Sequence, residues 1–93
     1  MANTVALKCL GYQQIVGAAA ATGLTIPAGA AVARITVGVQ AVRYRDDGTN
    51  PTAAIGMPLA VGATLDYREQ GLTTIKFIEV VAGTVLDVSY YGM

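Results

Sequence analysis

Arg43-Tyr44-Arg45-Asp46-Asp47-Gly48-Thr49-Asn50-Pro51-Thr52, followed by Gly56-Met57-Pro58-Leu59 and Gly62-Ala63-Thr64-Leu65-Asp66-Tyr67, sets dense turn chemistry between short alternating runs. If the first run is a regular strand, Val42 and Tyr44 face one side and Arg43 and Arg45 the other, so one side is core and the other wet. Asp46-Asp47-Gly48 is a turn in which Gly48 supplies a positive φ, and Asn50-Pro51 closes the loop. Gly56-Met57-Pro58-Leu59 reads as an irregular connector, and 63–67 as a strand with Leu65 and Tyr67 inward. The stretch holds five of the twelve charged residues but neither histidine nor cysteine. Its residue types describe an architecture before they describe a chemistry.

Strand signals also dominate outward from this stretch. Residues 3–10 alternate, with Val5, Leu7 and Cys9 on one face and Thr4, Ala6 and Lys8 on the other, and Gly11 marks a break or bulge. A second run, 12–18, leads into Ala19-Ala20-Ala21, where flanking glycines outweigh the helix propensity of three alanines. Residues 23–26 form a short strand ending at Pro27, and Ala28-Gly29 is a turn. In 33–39, Ile35, Val37 and Val39 oppose Arg34, Thr36 and Gly38, and the run continues to Arg45. Glu69-Gln70-Gly71 is a turn. Residues 73–81 alternate imperfectly, since Ile75, Phe77 and Ile78 do not share a face, which predicts a strand covered on both sides. Ala82-Gly83 is read as a two-residue hairpin turn into 84–91, where Leu86, Val88 and Tyr90 oppose Val85, Asp87, Ser89 and Tyr91. The pattern predicts an all-β protein: a single domain over 1–93, built as a small antiparallel β-sandwich or jelly-roll-like barrel of about seven or eight short strands.

Composition points to assembly. Charged residues make up 13% of the chain, against a typical ~25%. Over the roughly 5,000 Å² of surface expected for this mass, that is about one charge per 400 Å², near the size of the largest apolar patch a monomer exposes. A homo-oligomer, or a subunit of a larger assembly, is expected. Six basic against six acidic residues leave no net charge, hence no field to draw in nucleic acid or an anionic membrane. The uncharged run between Lys8 and Arg34 is broken by Gln13, Gln14, Pro27 and several glycines, too weak for a membrane span. The start of the chain lacks the basic cluster of a signal peptide, so synthesis in the cytoplasm is expected. Cys9, the single cysteine, excludes an intrachain disulfide and reads as a buried, inert thiol.

Without histidine the usual general base, the triads and the commonest metal ligand are missing, and one cysteine does not make a structural zinc site. No catalytic residue, metal site or cofactor is expected. Asp46 and Asp47 are adjacent, so their side chains diverge instead of forming a hydrolytic pair. The oxygen donors of 46–50 lack the frame of a calcium loop and fit an Asx turn. Arg43 and Arg45, on one strand face, are candidates to pair with Asp66 or with a second subunit. Arg43, Arg45, Asp46, Asp47 and Asp66 are thus the candidate inter-subunit contacts. Tyr44, Tyr67, Tyr90 and Tyr91 alternate mostly into the core, with hydroxyls at its rim; Tyr44, Tyr67 and Tyr91 are the candidate aromatic contacts.

The run Val42-Arg43-Tyr44-Arg45-Asp46-Asp47-Gly48-Thr49-Asn50-Pro51-Thr52-Ala53-Ala54-Ile55-Gly56-Met57-Pro58-Leu59, the glycine at 62, residues 72–78 and the ending Leu86-Asp87-Val88-Ser89-Tyr90-Tyr91 resemble small β-rich structural proteins of tailed-bacteriophage virions. The resemblance covers about half of the chain. It implies a virion location and the role of a capsid decoration or cement protein, bound to the major capsid protein or another virion protein, with no catalytic residue to carry over. It leaves the less recognisable first 40 or so residues for the docking surface. The alternatives are a carbohydrate- or receptor-binding virion module, which needs exposed aromatics, and a tail or tube subunit pairing through an unprotected strand such as 3–10.

Overall fold

The computed structural model describes residues 7–92, at 69 and 70 by their backbone. It has seven strands: β1 Lys8–Val16, β2 Ala30–Gly38, β3 Val42–Arg45, β4 Met57–Leu59, β5 Thr64–Arg68, β6 Lys76–Glu79 and β7 Val85–Gly92. One 3-10 turn, Glu69–Thr73, joins β5 to β6. The strands form two antiparallel sheets, a larger one ordered β1-β7-β2-β5 and a smaller one ordered β4-β3-β6. The chain is all-β and sandwich-like. Among the described residues, no helix is long and apolar enough to cross a membrane.

Alternation decides which face is core. On β7, Leu86, Val88 and Tyr90 are buried between half-buried Val85, Asp87, Ser89 and Tyr91. Their partners on β2 are Val37, Ile35 and Ala33, all buried. The smaller sheet closes over this face with Val42 and Phe77, Leu72 and Ile75 fill the flank, and the Tyr44 ring leans on Phe77 at 6.0 Å.

Several expectations change at the level of elements. The runs at 3–10 and 12–18 are not two strands: from Lys8 onward they form one, β1, with Leu10 as an extra residue, since Cys9 pairs with Tyr91 and Gly11 with Tyr90. Such a bulge flips the alternation. Ahead of it Leu7 and Cys9 face outward with Tyr91; beyond it Gln13 and Ile15 face inward with Val88 and Leu86. Cys9 is therefore exposed, not buried. Val5 and the rest of 3–6 lie outside the described residues.

Residues 23–26 do not form a strand; a bridge from Thr22 to Phe77 is the nearest ladder contact. The segment is held instead by the Gln13 amide, whose Oε1 accepts from the Thr25 N–H at 3.0 Å and whose Nε2 donates to Thr25 Oγ1 at 3.3 Å. The 57–59 connector is a strand, β4, short enough at an edge to accommodate Pro58. Ala82-Gly83 does not close a hairpin, because β6 pairs with β3 while β7 pairs with β1 and β2. Residues 80–84 instead carry the chain from one sheet to the other.

Candidate functional site

The charged cluster at 43–47 is turned to internal use. Arg43 and Arg45 share the outer face of β3, as alternation requires, but neither meets Asp66. Arg43 Nε donates to the Ala53 carbonyl at 3.1 Å and Nη1 to the Gly56 carbonyl at 3.0 Å, so its guanidinium clamps the loop before β4. Arg45 makes a forked pair with Asp47, with Nε to Oδ1 at 3.1 Å. Asp47 Oδ1 also accepts from the Thr49 N–H, which completes the Asx turn, and Gly48 has φ +86° as that turn demands. The Arg45 hydrogen bonds, followed by that of Thr49, hold the Asp47 carboxyl below its ordinary range. Asp46 points the other way and accepts from the Tyr67 hydroxyl. That bond, linking the two sheets, pushes the Tyr67 phenol up to about 12.

Asp66 pairs with Arg34 because β5 runs beside β2 and sets the two directly opposite. The fork measures 2.9 and 3.2 Å and lowers the Asp66 carboxyl. The three candidate tyrosines do not gather either. Tyr44 and Tyr67 pack on the core from different sheets, and Tyr91 lies on the outer face of β7. Among the described residues no three His, Cys, Asp or Glu side chains come together to hold a metal ion.

The feature that sequence reading missed is an apolar end. Where β1 and β2 finish beside the start of β7, Val16 and Gly38 both pair with Val85. Three more contacts bring the remaining loops to this end: Gly17 N–H to the Thr84 carbonyl at 2.8 Å, Val80 N–H to Ala41 at 3.1 Å and Gly62 N–H to Val37 at 2.7 Å. The loops at 17–22, 39–41, 60–63 and 80–84 thus converge, and none contains a charged residue. Glu79 at their margin is turned inward, its Oε1 accepting from the Ala18 N–H at 3.0 Å and the Gly83 N–H at 3.3 Å. Five exposed valines cover this end: Val16 (73%), Val39 (64%), Val81 (56%), Val61 (55%) and Val80 (40%). They come from four places in the chain, so no sequence window shows them together.

Val39 is also strained. Its φ is +68°, and the Gln40 N–H reaches back to the Gly38 carbonyl at 2.8 Å, closing a tight γ-turn. A β-branched residue in this conformation is a true outlier, and such strain concentrates at functional positions. Comparison with protein-family models, with curated proteins and with solved structures finds no match.

Proposed function

We propose that this chain is a non-enzymatic virion structural protein, a capsid decoration or cement protein that seats its apolar end on a protein of the phage head. The observation that carries the reading is the end where Val16, closing β1, and four valines of loops free of charged residues, Val39, Val61, Val80 and Val81, are all exposed. Exposed apolar side chains gathered at one end suit a protein–protein contact. The strained Val39 turn supports it, because it holds a β-branched apolar side chain outward at this end, at a positive φ that costs the chain strain. The resemblance of 42–91 to virion proteins of tailed phages supports it independently, and so does the internal use of Arg43, Arg45, Asp46 and Asp47.

The test is co-sedimentation with purified capsids of the phage that encodes the chain. Wild-type protein is expected to pellet with the capsids at a saturable ratio. Val81→Asp should stay in the supernatant with an unchanged β-sheet circular dichroism spectrum. A wild-type chain that does not pellet overturns the reading.

A further inference from the structure

The outer face of the larger sheet carries a second feature, distinct from the valine end in its residues and in its chemistry. Its residues fall into cross-strand rows. In one row Tyr91 on β7, Val32 on β2 and Arg68 on β5 lie side by side, since Val32 pairs with both Tyr91 and Arg68. In the next, Arg34 lies beside Asp66. With Leu7 at the margin, these six side chains line an open depression of about 300 Å³, at the small end of the range for ligand pockets.

The rows fix its dimensions. Tyr91 and Arg68 stand two strand spacings apart, about 9–10 Å, and the rows are about 7 Å apart along the strands. Between them lies the low aliphatic floor of Val32. At about 300 Å³ the depression suits a single saturated ring with one face against the Tyr91 phenol, above a Val32 floor that is only 8% exposed. Charge then selects among ring-bearing ligands. Asp66 is engaged by Arg34 through the forked pair, which holds that guanidinium in place, whereas Arg68 feels the same carboxylate only at longer range and makes no hydrogen bond or ion pair among the described residues. The depression therefore carries a net single positive charge, with a carboxylate at its edge that repels a dianion. A planar monoanion, able to accept two parallel N–H bonds from a guanidinium, is the complementary group.

We propose that this depression binds a carboxylate-bearing sugar, with the ring over Val32 against Tyr91 and the carboxylate on Arg68. Val32 and Tyr91 supply the apolar contact, Arg68 the charge-assisted bonds, and the Arg34–Asp66 pair a fixed donor and acceptor for ring hydroxyls. The proposal does not depend on the docking of the valine end, because the two surfaces share no residue.

Glucuronate is the probe, titrated into the full chain and followed by nitrogen–proton correlation NMR, with glucose and inorganic phosphate as controls. Glucuronate is expected to bind with a millimolar dissociation constant and to shift the backbone signals of Val32, Arg68 and Tyr91. Glucose should bind about tenfold more weakly or not at all, and phosphate should not reproduce the shifts. Arg68→Gln and Tyr91→Ala should each weaken glucuronate binding about tenfold or more, while Lys76→Gln on the smaller sheet leaves it unchanged. Arg68→Gln alters an exposed side chain, so an unchanged correlation spectrum away from the depression shows that the fold is intact. Absence of shifts at millimolar glucuronate, equal affinity for glucose, or full binding by Arg68→Gln would each overturn the proposal.

Discussion

At Val39 the conformation and the side chain are in conflict, and the conflict makes a measurable difference. A valine at φ +68° carries strain of about 1–3 kcal/mol, part of which glycine removes while adding about 0.5–1 kcal/mol of unfolded-state entropy. Val39→Gly is therefore expected to stabilise the isolated chain by about 1 kcal/mol in urea denaturation, and to weaken capsid binding because an exposed valine is lost. A variant less stable than wild type would show that the turn serves folding. Tyr67 offers a test by pH. Its hydroxyl bond to Asp46 raises the phenol from 10.0 to about 12, so the folded chain keeps this proton where the unfolded chain has released it. The contribution is whole below about pH 10 and is lost as pH rises through about 12. Wild-type stability should fall more steeply over that interval than that of Tyr67→Phe, and parallel curves would remove the bond from the account. Neither feature is written in the sequence. Asp46-Asp47-Gly48 announced its turn because Gly48 must take positive φ, but nothing about Val39 in an alternating run announces a γ-turn, and the partner of Tyr67 is 21 residues away.

At the scale of elements, legibility follows alternation. Strands β2, β3, β5 and β7 follow the alternation because one face of each is core, and the inward sets Ile35–Val37, Val42–Tyr44, Leu65–Tyr67 and Leu86–Val88–Tyr90 repeat every second residue. The run expected to continue from 33 to 45 is broken at 39–41, however, where Val39 turns outward and the chain leaves the larger sheet (β2) for the smaller one (β3). β1 misled because one extra residue, Leu10, reverses the alternation halfway along, so that Cys9 and Ile15 have the same parity but opposite faces. The 80–84 connection misled because a glycine turn between two apolar runs has the same local chemistry whether the chain returns to its own sheet or crosses to the other. What fixes the bulge is visible at its far side, where Leu10 and Gly29 press against β7 at Gly92. A Cβ at position 92 would lie 2.3 Å from the Gly29 carbonyl oxygen and 2.7 Å from Leu10 Cδ1. The first of these is backbone and cannot swing away. Gly92→Ala is thus expected to cost about 1–3 kcal/mol, measured by urea denaturation, with amide exchange accelerated first at the paired ends of β1, β2 and β7. An unchanged midpoint would mean that this corner of the sheet is looser than the close approach implies.

At the scale of the molecule, the strength of the proposed docking follows from its area and its lack of charge. The five exposures add up to nearly three fully exposed valines, worth roughly 4–9 kcal/mol when buried. Association costs about 4–15 kcal/mol in lost freedom, so one valine end on one partner holds weakly. A stable hold requires several ends to engage together, which an oligomer facing a repetitive lattice provides without any new contact. Light scattering at micromolar concentration should accordingly give a mass above that of one chain, and a clean monomer would remove the multivalent argument. The contact itself has a distinct signature. The converging loops contain no charged residue and Glu79 is tied to backbone N–H groups, so screening has little to act on. Capsid binding should change by less than about threefold between 0.1 and 1 M salt, and calorimetry should give a negative heat-capacity change, the marker of buried apolar surface. A steep loss of binding with salt would relocate the contact to the charged face of β3, where Arg43 and Arg45 lie, and Arg45→Ala would then weaken docking more than Val81→Asp.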